Sequence, residues 1–424
     1  MIFAKKSSIC VLNSFFSLIP ISKKIQISIN DIRFALVFLS MKKRGMKILI
    51  CTGYLDTVTN GTAHLPNFLL KINELYPQHQ VSILAEDIKN LPNKTYTNVY
   101  PIKINYPRPI HALQTFLRNF TYWKAIKALH EVKNFDVIVF NAGVVGIWTR
   151  WQLPKQVSIF GFLHDDNGIF VAKSNQATRL KKLYKYLEHF LLERTFMQQS
   201  NMKVLCCSNY LKALVIQHCK SDIKKTFCLH QAIDVRKIQY QYPQKFGEII
   251  KIIFVKWDYR RGGLLDLGQA LQRLYPYSFE LTVLGPSESE FNTIRAFFDE
   301  IKNIKLNLFG NTIQKNVFNA LAQHDIFCIP AKAEALGLAN AEALASGISV
   351  VATAVGGIPE VMNGAENGWL AKPNDIPDLA KTLKTCIEAS LEERIQKSRK
   401  GRAWVEAHFD YPVMLKNFLT ILEK

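Results

Sequence analysis

The chain has 424 residues, 48% of them apolar and 21% charged, and 54 lysines and arginines against 34 acidic side chains give a formal net charge of +20. That composition excludes a disordered chain, and the length exceeds what one ordinary core accommodates, so two domains are expected. Eight scattered cysteines (Cys10, Cys51, Cys206, Cys207, Cys219, Cys228, Cys328, Cys386) without C-x-x-C spacing argue against a zinc site and a secreted disulfide framework, and fit a reducing cytoplasm.

In residues 1–45, Lys5 and Lys6 precede an apolar run, Ile9 to Ile21, broken by Asn13, Ser14, Ser17 and Pro20. The run is too short and interrupted to span a membrane, and no small-residue cleavage site follows it. It reads as an extension upstream of a start at Met46 or Met41; a membrane-associating segment is the alternative. From Met46 onward, β-branched runs alternate with amphipathic stretches. Lys47–Cys51, Val81–Ala85, Val137–Asn141, Val157–Leu163 and Val204–Ser208 read as strands, and Ala63–Leu75, His111–Glu131 and Thr178–Met197 as helices. Past an irregular stretch at Asp234–Ile250 the pattern resumes. Ile252–Val255, Leu281–Gly285, Ile326–Pro330 and Ser349–Thr353 read as strands, Leu264–Leu274 and Val317–Gln323 as helices. Such alternation predicts an α/β protein with two parallel, doubly wound sheets whose ligands sit at the carboxyl ends of the strands.

Charge divides along the same line. Residues 1–45 carry 8 basic and 1 acidic side chains, residues 46–240 carry 25 and 12, and residues 241–424 carry 21 of each. A basic half joined to a neutral one suggests that one domain meets an anionic surface or substrate; a uniformly basic proteome is the plainer reading. Thr178–Phe196 and His111–Lys133 mix basic side chains with Leu, Tyr, Phe and Trp, as helices lying on anionic bilayers do, although an ordinary helix with its apolar stripe in the core fits better.

The densest signal runs from Pro330 to Leu370. A strand ends at Pro330, a loop carries Glu334 and Gly337, and a helix rich in good formers runs from near Leu338 to Gly347. Glu342 then lies in the first turns of that helix and Glu334 just before it. Free amides and a partial positive charge at a helix start favour an anion such as a diphosphate, and two flanking carboxylates suit hydroxyl groups. This stretch resembles the E-x7-E signature of retaining glycosyltransferase family 4, of the GT-B fold, with Glu334 and Glu342 as its glutamates; the following A-S-G-I-S-V-V-A-T-A-V-G-G-I-P-E resembles the same family. The resemblance implies that Glu342 binds the donor ribose, that Glu334 faces the transferred sugar, and that Gly337 and Leu338 offer amides nearby. Ala335 and Leu336 stand where the family has Gly-Phe, which bears on the sugar pocket.

A second element, F-V-K-W-D-Y-R-R-G-G-L-L-D-L from Phe254 to Leu267, reads as strand, basic turn and helix. Arg260 and Arg261 resemble the family's pair that grips the donor diphosphate, a task suited to guanidinium. Gly285-Pro286 and Phe309-Gly310-Asn311 end further strands. In the N-terminal half the match is looser: Gly61 stands in what resembles the family's glycine-rich loop, and His164 resembles its strand-end histidine at the reaction centre. In Leu229–Asp234, Gln231-Ala232 replaces the usual Asn-Gly while Asp234 is retained.

Together these imply a GT-B enzyme: residues 46–240 an acceptor-binding domain, 241–404 a nucleotide-sugar-binding domain, and 405–424 a helix packing back on the former. The expected activity moves a sugar from a nucleotide-diphosphate donor to a saccharide or lipid-linked acceptor of cell-surface polysaccharide. Catalysis is assigned to Glu334, His164 and Arg261, without metal or cofactor, in the cytoplasm or peripherally at the inner membrane face. An epimerase or phosphorylase on the same fold is the alternative. A nucleic-acid-binding protein is motivated by charge alone and lacks a stacking platform.

Overall fold

Runs such as Val137–Phe140 and Ile326–Ile329 are buried at every position, the pattern of strands covered on both faces. The computed structural model describes residues 45–56, 64–89, 98–104, 111–141, 146, 148–149, 153–165, 194–199 and 201–424. The N-terminal extension up to residue 44, the loop holding Gly61 and most of the expected helix Thr178–Met197 lie outside the described residues.

Two sheets result, every described ladder parallel. The first comprises β1 (Lys47–Asp56), β2 (Gln80–Lys89), β3 (Val99–Pro101), β4 (Val137–Phe140), β5 (Ser158–Leu163), β6 (Met202–Cys206) and β7 (Thr226–Cys228), in the order β3-β2-β1-β4-β5-β6-β7. The second comprises β8 (Ile249–Val255), β9 (Ser278–Leu284), β10 (Ile304–Phe309), β11 (Ile326–Ile329), β12 (Ser349–Thr353) and β13 (Trp369–Ala371), in the order β10-β9-β8-β11-β12-β13. Register keeps apolar residues level: Ile50 lies beside Ile83 and Val139, and Ile252 beside Leu281 and Ile326. In each sheet the order reverses direction once, beside β1 and beside β8. Doubly wound sheets bind ligands at that reversal, beyond the carboxyl ends of the strands.

Helices cover the sheets with apolar stripes. Leu264–Gln272 buries Leu264, Leu267 and Leu271, and Ile376–Glu388 buries Leu379, Leu383 and Cys386 behind an Asp375 cap that accepts from the amide of Asp378. The expected helix Ala63–Leu75 is instead two, His64–Leu70 and Ile72–Leu75. The amide of Lys71 bonds the carbonyl of Phe68, three residues back, and this tight turn breaks the run. Helices Leu391–His408 and Tyr411–Leu422 close the chain. The amide of Tyr411 bonds the carbonyl of Ile233, and its ring stacks on Phe68 with centroids 5.3 Å apart, so the last helix starts against the first domain. Among the described residues no helix is long and apolar enough to cross a membrane.

Candidate active site

At the reversal of the second sheet, the loops after β8 and β11 meet. The amide of Lys332 bonds the carbonyl of Arg261, and Arg261 Nε donates to the carbonyl of Ala333 at 3.0 Å. Gly356 lets the loop after β12 press on the same place: a Cβ there would stand 1.6 Å from the carbonyl oxygen of Glu334. Gly337 turns the chain into the helix Leu338–Ser346 at φ +92°, a conformation that side chains disfavour. The sequence thus builds a fixed loop, Ala331–Gly337, that aims a helix start into open space.

That space is a cleft of about 330 Å³ between the two sheets, within the size range of small-molecule sites. Glu334, Gly337, Leu338 and Glu342 line it from the second sheet's side, and His164, Gln231 and Phe68 from the first. The expected site residues Glu334, Gly337, Leu338, Glu342 and His164 therefore share one cleft, with Gly285 and Asn311 just beyond β9 and β10.

Neither side chain of the arginine pair is among the groups that line the cleft, although Arg261 borders the Glu334 loop. Arg260 lies over the ring of Tyr259 and pairs with Glu290 at 3.2 Å; Arg261 is turned to the loop backbone. The cation in the cleft is Lys256, which pairs with Glu334, each side chain about one-fifth exposed or less (17% and 21%). Lys256 belongs to the motif read from the sequence, where the signal that identifies it was available: it follows the last residue of β8, beside the sheet's reversal.

Glu342 is 8% exposed, and its Oε1 accepts from Gln314 Nε2 at 2.8 Å. Burial pushes its pKa up to about 7, with the Gln314 hydrogen bond working the other way. That one hydrogen bond does not offset the burial, and hydroxyl groups of a ligand would supply further donors. His164 directly follows β5, with both ring nitrogens engaged: Nε2 meets Asn141 Oδ1 at 2.6 Å, and Nδ1 meets Gln231 Nε2 at 2.5 Å. Donation from Nε2 and acceptance at Nδ1 satisfy both contacts with a neutral ring. Burial lowers the pKa to about 4, so the imidazole stays uncharged at neutral pH. Such a histidine presents an oriented, uncharged ring to the cleft. Gln231, the departure noted at that position, supplies half of that orientation. Ala335 and Leu336 are each 2% exposed, so the altered pair shapes the cleft from beneath.

Residues 237–404 match the family model described as glycosyl transferases group 1. A GDP-mannose-dependent monoacylated alpha-(1-6)-phosphatidylinositol monomannoside mannosyltransferase of Corynebacterium glutamicum is 29% identical over 151 residues, 34% of this chain and 39% of that protein. The chain thus matches about two fifths of that curated relative's length. The structure of WaaG, a glycosyltransferase involved in lipopolysaccharide biosynthesis, superposes with a TM-score of 0.67 at 16% identity over 88% of this chain and 99% of that one. HepE of Anabaena in complex with UDP-glucose superposes with a TM-score of 0.65 at 17% identity over 89% and 99%. These likenesses establish the GT-B fold.

Proposed function

With the domain at residues 237–404 belonging to group 1 of the glycosyl transferases, we propose that the protein is a retaining glycosyltransferase that takes a sugar from a nucleotide-diphosphate donor. What carries this reading is the meeting of Lys256, Glu334, Glu342 and the start of helix Leu338–Ser346 in one cleft at the sheet's reversal. The helix amides and Lys256 face the diphosphate, Glu342 takes the ribose hydroxyls, and Glu334 the hydroxyls of the sugar. The acceptor hydroxyl attacks the anomeric carbon while the bond from that carbon to the phosphate oxygen breaks. The departing phosphate takes the acceptor's proton, so no protein base is required. Lys256 and the helix dipole offset the charge growing on the leaving group, which in this account replaces a divalent ion.

A saccharide or lipid-linked acceptor in cell-surface polysaccharide synthesis agrees with the relatives: one named for a phosphatidylinositol mannoside, one for lipopolysaccharide biosynthesis. The basic first domain, with 25 basic against 12 acidic residues over 46–240, suits an anionic acceptor or an anionic membrane surface. The test is release of nucleoside diphosphate from a panel of nucleotide sugars, with and without acceptor saccharides. Acceptor-dependent release with the donor's anomeric configuration kept in the product supports the reading. Isomerisation of the nucleotide sugar without acceptor identifies an epimerase instead.

A further inference from the structure

Among the exposed large apolar side chains of the described residues, Trp257 is the one that lines the cleft. It follows Lys256 directly and lines the cleft, yet it is 75% exposed. No ring, cation or hydrogen bond holds its indole among the described residues. Phe68, the other large aromatic of the cleft, is already stacked on Tyr411. An indole offers a large flat apolar face, so a ligand lying on it at the lip of the cleft would take much apolar surface out of water.

The strand order says which part of a nucleotide would meet it. β8 lies between β11, whose loop brings Glu334 and the helix start, and β9, which Gly285 follows. On the β9 side stand Gly285, Asn311, Thr312 and Gln314, the last bonded to Glu342. A diphosphate at the helix start and a ribose at Glu342 therefore send the base toward Gly285 and Thr312. The backbone of Trp257 borders that end, its amide 2.8 Å from where a Cβ on Gly285 would stand. None of the other described lining residues there offers a flat π face.

We infer that the indole of Trp257 is the platform on which the donor's nucleobase stacks, an assignment that rests on the cleft being a nucleotide-sugar site. Stacking accepts every base, so Trp257 supplies affinity and orientation while leaving the choice of base to hydrogen bonding at its edge.

Calorimetric titration of the full chain with UDP and with GDP tests it, using wild type, Trp257→Ala, Trp257→Leu and Trp257→Phe. Substitution of so exposed a side chain leaves the fold intact, which melting curves check. Alanine and leucine should each weaken the nucleotide that binds about five- to a hundredfold, while phenylalanine keeps most of the affinity. The quenching of tryptophan emission on nucleotide binding should fall in the phenylalanine variant. If wild type binds a nucleoside diphosphate and the leucine variant binds it equally well, the platform is refuted and the donor-site reading stands. If wild type binds neither nucleotide, both fall together.

Discussion

Glu360 accepts the backbone N–H of Tyr210 at 2.8 Å, across the junction between the two sheets. The same carboxylate takes the amide and side chain of Asn209 at 2.9 and 3.0 Å and Nε2 of His230 at 2.9 Å. It thereby caps the helix Asn209–Cys219 of the first domain with an anion from the second. Burial alone would raise its pKa, but the hydrogen bonds from His230 and the two amides outweigh it and hold the carboxyl below the usual glutamate value. In the pH range between the lowered folded value and the ordinary one, the unfolded chain binds more protons, so stability rises with pH there. Glu360→Gln should cost about 1–3 kcal/mol at pH 7. The difference from wild type should shrink as pH falls below about 4.5, the ordinary glutamate value. Urea midpoints across that range measure this, and equal midpoints at pH 7 would remove the latch from the account.

Glu342 predicts the opposite slope. Its pKa of about 7 lies above the ordinary 4.5, so between those values the folded state binds the extra proton and stability falls as pH rises. Glu342→Gln keeps the acceptor for Gln314 and removes the buried charge. The variant should be more stable than wild type at pH 8, by about 3 kcal/mol at most, with the gap closing below pH 5. A variant that melts lower than wild type at pH 8 contradicts this.

His164 acts on the acid side. Its pKa of about 4 lies below the ordinary 6.5, so between these values the unfolded chain takes the proton and wild type loses stability as pH falls. His164→Gln removes that titration, and its stability should change less between pH 7 and pH 4. Parallel curves for the two proteins would show that the ring is not held neutral.

Lys256→Ala should lower turnover about 10²–10³-fold, the range for removing one preorganised charge contact. Arg260→Ala should leave turnover within a few-fold, because that guanidinium is half exposed (51%) and engaged with Glu290. Steady-state kinetics with the active nucleotide sugar compares them; equal losses would return the phosphate contact to the arginine turn.

Legibility in the sequence followed the range of the interactions concerned. Alternation of strand and helix is local, and so are Glu334, Gly337 and Glu342, which one loop and one helix bring together. Arg260 and Lys256 share one motif. Which of them faces the cleft depends on Glu290, thirty positions away, and on Glu334, further still. Glu360 stands in a motif that was read, but its partners lie 130 to 151 positions upstream. The meaning of Gln231 depends on His164, 67 positions before it, which only the fold brings within reach.

The central claim is that Glu334, Glu342 and Lys256 jointly hold a nucleotide-activated sugar. Calorimetric affinity of wild type and Glu342→Ala for the nucleotide sugar that supports turnover tests it most directly. The account predicts binding by wild type and a loss of about tenfold to a hundredfold in the variant, as for a charge-assisted hydrogen-bonding group removed from a buried site. Undiminished affinity in the folded variant would contradict it.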